Sequence, residues 1–206
     1  MFDEAFRKVF PNYTKPFITL LVNLRVHPIS ITLFGFILSL IAAWFISLGH
    51  TYLGLILWYL SRILDGLDGA VARESGTQSS FGGYLDILLD MGAYSAVIVG
   101  FAKLYPQYSM VWVFILLAYV LCITSALSFA SIYETLKDKI DKDLEKGNRT
   151  FLLTTGLAEA GETTIAYTLF ILFPAYIQTL GIIWLFVVLL TVVQRTVLGS
   201  RIFRDR

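Results

Sequence analysis

The stretch Asp65–Asp90, DGLDGAVARESGTQSSFGGYLDILLD, sets four aspartates and an arginine in a chain otherwise suited to lipid. Of its 206 residues, 57% are hydrophobic and 15% charged, the composition of a polytopic membrane protein. Asp65 and Asp68 are three residues apart and Asp86 and Asp90 four apart, so on helices each pair projects from one face. Two such helices present a four-carboxylate cluster. An ionised carboxylate in a bilayer costs about 2.5–3.5 kcal/mol at mid-depth, so four without partners cost on the order of 10 kcal/mol.

Divalent cations are the economical counter-charge. An all-oxygen donor set suits magnesium or manganese rather than zinc, and His27 and His50 are the only imidazoles. Such ions hold phosphates, and two together can clamp a diphosphate. Gly69 and Gly82 would let a bulky ligand approach the backbone, and Arg73 at the helix end would reach a phosphate.

Working outward, hydropathy predicts an all-α integral membrane protein with six spans: Ser30 to Gly49, Tyr52 to Ala72, Gly83 to Leu104, Met110 to Tyr133, Leu157 to Phe173 and Ile177 to Leu198. Residues 1–29 mix apolar and basic side chains and read as an amphipathic helix on the membrane surface. The whole of 1–206 reads as one membrane domain, with no cleavable leader or internal repeat. Lys and Arg fall mainly on one side: Arg7, Lys8, Lys15, Arg25, Arg73, the run from Lys137 to Arg149, and Arg201, Arg204 and Arg206, against Lys103 alone on the other. Both termini and the aspartate stretch are therefore expected on the cytoplasmic side. The basic edge favours anionic lipid headgroups, and nothing supports nucleic-acid binding. The run ETLKDKIDKDLEKGNR alternates charge sign and reads as a solvated helical extension of the fourth span.

The order Asp65, Asp68, Gly69, Ala72, Arg73, Gly82, Asp86, Asp90 matches D-x-x-D-G-x-x-A-R-x8-G-x3-D-x3-D at all eight fixed positions, and the chain thereby resembles the CDP-alcohol phosphatidyltransferases. The phrase GLAEAGET also resembles a bacterial inner-membrane branch of that family. The resemblance implies transfer of a phosphatidyl group from a CDP-linked lipid, usually CDP-diacylglycerol, to an alcohol, with release of CMP. By position it implies a di-metal site of Asp65, Asp68, Asp86 and Asp90, with Asp90 also the general base. It implies nucleotide contacts at Asp65, Asp68, Gly69, Ala72, Arg73 and Gly82, and a homodimer. The family's Pro-Asn-x-x-Thr pattern before the first span departs here to Pro28-Ile29-Ser30-Ile31-Thr32. Thr32 is thus a nucleotide-site candidate, with helix capping by Ser30 or Thr32 as the plainer role.

Arg149 and Arg195, near the ends of different spans, are candidate ligands for a phosphorylated acceptor such as glycerol 3-phosphate or inositol phosphate. Their plainer roles are to snorkel or to pair with Glu159 and Glu162. A serine, inositol or phosphatidylglycerol acceptor would not need them. Arg62, one turn before Asp65, reads as a structural ion pair. Trp44, Trp58, Trp112 and Trp184 read as lipid-facing or packing aromatics, and the lone Cys122 as a packed thiol. A metal-ion transporter would explain the aspartates but not Gly69, Ala72, Arg73 and Gly82 at their spacings. A catalytically dead scaffold would not need every acid in place.

Overall fold

The computed structural model describes the backbone of residues 15–144 and 160–203, and the side chains of these other than 137–144. Among the described residues every regular element is helical: α1 (residues 15–23), α2 (Pro28–Ser47), α3 (Thr51–Glu74), α4 (Ser80–Leu104), α5 (Ser109–Leu144), α6 (Ala160–Leu172) and α7 (Ile177–Phe203). Short 3-10 turns at Pro106–Tyr108 and Pro174–Tyr176 join α4 to α5 and α6 to α7. In each, proline cannot continue the preceding helix and its fixed φ starts the turn.

The expectation of six membrane spans meets the structure in part. Among the described residues four stretches are long and apolar enough to cross a bilayer: Pro28–Ser47, Ser80–Leu104, Pro106–Leu136 and Pro174–Phe203. At 24 residues α3 has the length, but Arg62, Asp65, Asp68, Arg73 and Glu74 lower its hydropathy. With 13 described residues, α6 covers only about 20 Å at 1.5 Å per residue, and its expected start at Leu157 lies outside the described residues. The charge-alternating run continues α5 as helix to Leu144. Capping departs from expectation: α2 begins at Pro28, and its N-cap is His27, whose Nδ1 accepts from the Ile29 amide at 3.3 Å. Proline at the first helical position costs nothing there, so Ser30 and Thr32 sit inside the first turns and do not cap.

The second helix organises the site. Both α3 and α4 pack on α2, and glycines permit the approach. A Cβ on Gly100 would lie 2.6 Å from the Ala43 carbonyl oxygen, and one on Gly54 would lie 2.9 Å from that of Ala42. Gly92 faces Phe36 of the same chain, where a Cβ would meet the ring at 3.0 Å. Gly100→Ala is therefore expected to destabilise the protein by about 1–3 kcal/mol. Gly83→Ala, with nothing within 4 Å of its added carbon, should be neutral. Thermal unfolding of the two variants in detergent checks the contrast.

Beyond the carboxylates lies an aromatic core of Trp58, Phe101, Trp112, Tyr167 and Phe170. Trp58 Nε1 is buried without a hydrogen-bond partner, but the tyrosine tips are satisfied internally: Trp184 Nε1 donates to Tyr119 Oη at 2.8 Å, Tyr119 and Tyr167 share a 2.9 Å bond, and Tyr167 donates to the Tyr94 carbonyl at 2.9 Å. Buried hydroxyls without water need such partners. Trp58, Trp112 and Trp184 are thus packing residues, whereas Trp44 is exposed, with Lys103 Nζ 5.1 Å from its ring centroid. A second cluster joins Ile18 of α1 and Ile31 of α2 to Leu67 and Val71 of α3, so α1 packs beside the residues that flank Asp68.

Candidate active site

Helical periodicity delivers the carboxylates as the spacing requires. Asp65 and Asp68 leave α3, and Asp86 and Asp90 leave α4. One carboxylate oxygen from each of Asp65, Asp68 and Asp86 lies within 4.8 Å of the others. Three hard oxygen donors at that separation fit a divalent cation of the magnesium or manganese type. Asp68 is 7% exposed and accepts from Thr32 Oγ1 at 2.5 Å. That bond, reaching from α2 to α3, fixes the orientation of the carboxylate.

Asp90 lies beside Asp65 and is the aspartate held most closely by Arg62. Its Oδ1 accepts from Arg62 Nη1 at 2.6 Å, while Asp65 Oδ2 lies 3.7 Å from the same nitrogen. The ion pair expected within α3 is thus chiefly a pair between α3 and α4. Arg62 also donates to Tyr94 Oη at 3.3 Å and to Ser61 Oγ at 3.1 Å.

A groove of about 170 Å³ opens beside the cluster. Its walls include Thr32, Asp68, Gly69, Ala72, Arg73, Gly82 and Asp86, so every nucleotide-site candidate except Asp65 lines one cavity. Arg73 lies over Gly69, where a Cβ would sit 3.3 Å from Nη1. The α4 N-terminus forms another wall. Ser79 caps it by accepting from the Gly82 amide at 3.0 Å, and a helix N-terminus favours anionic ligands.

Sequence reasoning missed His27, Pro28, Ile29, Thr77, Gln78, Ser79 and Gly83 among the lining residues. The signal for some was present: SSFGG reads as an N-cap opening a helix, and Thr77 and Gln78 fall between motif positions. Ile29, where the family pattern has asparagine, also lines the groove.

Of the two acceptor candidates, only Arg195 falls among the described residues. Arg195 of α7 donates to the Cys122 carbonyl at 2.8 Å and to Ser125 Oγ at 2.9 Å on α5. Arg149 and Glu159 lie outside the described residues. Glu162 lines a separate, largely apolar groove of about 220 Å³ between α6 and α7, and its Oε2 is buried without a hydrogen-bond partner.

Helices that carry this motif across a groove define a class, and comparison with known proteins agrees. Residues 25–193 match the family model of the CDP-alcohol phosphatidyltransferases. The chain is 36% identical over 152 residues to the inner membrane protein YnjF of Escherichia coli (strain K12), covering 73% of this chain and 72% of that one. It is 35% identical over 82 residues to the archaetidylinositol phosphate synthase of Pyrococcus horikoshii (40% and 44% of the two chains). Identity is also 35% over 95 residues to the phosphatidylinositol phosphate synthase of Mycobacteroides abscessus (46% and 43%). The chain thus spans nearly three quarters of the first relative and under half of the two synthases. Among solved structures, the Mycobacterium tuberculosis phosphatidylinositol phosphate synthase PgsA1 with CDP-DAG bound superposes with a TM-score of 0.66 at 22% identity, covering 91% of this chain and 93% of that one. The same enzyme has been solved with manganese and citrate, TM-score 0.65.

This chain belongs to the CDP-alcohol phosphatidyltransferase family. It is a transferase of phospholipid biosynthesis, and its apolar helices and inner-membrane relative place it in a membrane.

Proposed function

We propose that the protein transfers the phosphatidyl group of CDP-diacylglycerol to a hydroxyl of a phosphorylated polyol, such as glycerol 3-phosphate or an inositol phosphate, and releases CMP. The observation that carries this reading is the single groove lined by Thr32, Asp68, Gly69, Ala72, Arg73, Gly82 and Asp86, with Asp65 completing the carboxylate trio at its edge. The inositol phosphate acceptor is supported by the relatives named as inositol phosphate synthases.

In this reading Asp65, Asp68, Asp86 and Asp90 hold two magnesium or manganese ions. When bound, these ions supply charge neutralisation to the diphosphate and to the departing CMP. Gly69, Ala72 and Gly82 leave room for the nucleotide, Arg73 meets a phosphate, and Thr32 steadies Asp68. The acceptor oxygen attacks the phosphatidyl phosphorus, the new P–O bond replaces the bond to CMP, and the hydroxyl proton passes to Asp90. The transfer is a direct displacement that needs no serine or cysteine nucleophile, and Cys122 keeps a packing role.

Arg149 and Arg195 are the proposed acceptor-phosphate ligands, Arg195 exchanging its α5 partners for the phosphate. In this reading helices α2–α7 are the six spans of one domain covering 1–206, preceded by an interfacial segment of which α1 is the described part. Both termini and the groove face the cytoplasm, leaving lipid tails in the bilayer, and the protein is a homodimer.

The test is a radiolabelled CDP-diacylglycerol assay of the purified protein across glycerol 3-phosphate, inositol phosphate, inositol, serine and phosphatidylglycerol, with lipid products identified by mass. CMP release that needs magnesium or manganese, stops on chelation and prefers a phosphorylated polyol is the expected result. Preference for serine or a neutral alcohol would discard the phosphate pocket and leave the transfer reaction standing. No CMP with any acceptor, together with metal flux in proteoliposomes, would replace the enzyme reading by the transporter.

A further inference from the structure

The Arg62 side chain is only 12% exposed and is held from several directions. Its guanidinium carbon lies 4.6 Å from the Trp58 ring centroid and 5.2 Å from that of Tyr94. Ser61 and Tyr94 accept from its two terminal nitrogens. Trp58 precedes Arg62 by one helical turn on α3, and Tyr94 follows Asp90 by one turn on α4, so the cage is built from the same two helices that carry the carboxylates. Both rings are buried and meet each other edge to face with centroids 5.6 Å apart. A guanidinium stacked on aromatic faces and bonded at its edge loses little further freedom on pairing with a carboxylate.

The consequence falls on Asp90. Its Oδ1 is taken by Arg62, beside the Asp65 carboxylate, whose Oδ2 lies 3.7 Å from the same nitrogen. The oxygens that cluster within 4.8 Å belong to Asp65, Asp68 and Asp86. Position in sequence makes the four aspartates alike, yet the caged arginine makes one of them different.

We propose that Arg62 is a positioning residue that holds one oxygen of Asp90 against the Trp58–Tyr94 cage, fixing this carboxylate within the four-aspartate site and aiming its other oxygen at the acceptor hydroxyl. The assignment rests on the reading of Asp90 as the base. It also implies a trade: a fixed cation beside Asp90 and Asp65 opposes dication binding while it orders the base.

Arg62→Met tests both halves in the full-length protein. Mn2+ binding, read by electron paramagnetic resonance of free Mn2+ without substrate, should tighten by about tenfold, because a positive charge has left a carboxylate cluster of intermediate dielectric. CMP release from CDP-diacylglycerol with inositol phosphate should fall in kcat by about a hundredfold, with the KM for the CDP-lipid unchanged. Loss of a merely structural contact would weaken metal binding and turnover together, and that result overturns the proposal, as does wild-type kcat.

Arg62→Lys keeps the charge but not the planar fork. It should lose about tenfold in kcat with Mn2+ affinity unchanged, and it carries the test if Arg62→Met does not fold; wild-type kcat in this variant overturns the proposal. In an Asp90→Asn background Arg62→Met should cost nothing further in turnover, since the two act as one unit. Normal turnover of Asp90→Asn alone removes the base assignment and the proposal with it. An inactive Asp90→Asn beside a fully active Arg62→Met removes only the proposal.

Discussion

Asp68→Asn is expected to lower both Mn2+ affinity and CMP release by more than about a hundredfold, a loss that exceeds what outer-shell partners cost because a ligand itself is removed. The side chain is buried, faces Asp65 and Asp86, and already receives one hydrogen bond, from Thr32. Asparagine preserves the shape and that hydrogen bond but removes the charge, so the fold should survive while the dication site does not. Asp65→Asn should behave alike. Thr32→Val, which removes the donor and keeps the carboxylate, should lose about 10- to 100-fold. Titration of free Mn2+ beside CMP release at saturating metal checks the series. Equal, near-normal activity in Asp65→Asn and Asp68→Asn would remove the metal site from the reaction.

Asp90→Asn is expected to divide differently. As general base its loss should lower kcat by about 10²–10⁴-fold, while the KM for CDP-diacylglycerol stays near the wild-type value, since the groove is lined by other residues. The substitution also strips Arg62 of its 2.6 Å partner, leaving Asp65 at 3.7 Å as its remaining counter-charge. Breaking a buried pair is destabilising in itself, so thermal unfolding must accompany the kinetics. A folded, CDP-lipid-binding, inactive variant supports the base assignment. Turnover close to wild type would move the base elsewhere, and Asp86 on the same helix face would be examined next.

Much of the site was legible because it is written in local geometry. A spacing of three or four residues puts two carboxylates on one helix face whatever the tertiary fold, and hydropathy marks helices with few competing interpretations. Asp65, Asp68, Gly69, Arg73, Gly82 and Asp86 therefore came from the residues themselves, with the expectation of a divalent cation, and Ala72 from the resemblance to the family motif. Charge in α3 and the short described length of α6 account for the gap between six expected spans and the four stretches that, among the described residues, are long and apolar enough to cross a bilayer.

What the tertiary structure decided is which of these groups touch across distance in sequence. Arg62 lies three residues from Asp65 but bonds more closely to Asp90, 28 residues away. Thr32 bonds to Asp68 across 36 residues instead of capping its own helix, and Arg195 is taken up by α5, 70 residues and more before it. These pairings depend on how α3 and α4 lie against α2, which is set by close contacts at Gly54 and Gly100. A helical period states which way a side chain points from its own axis; only the packing of the axes states what it meets.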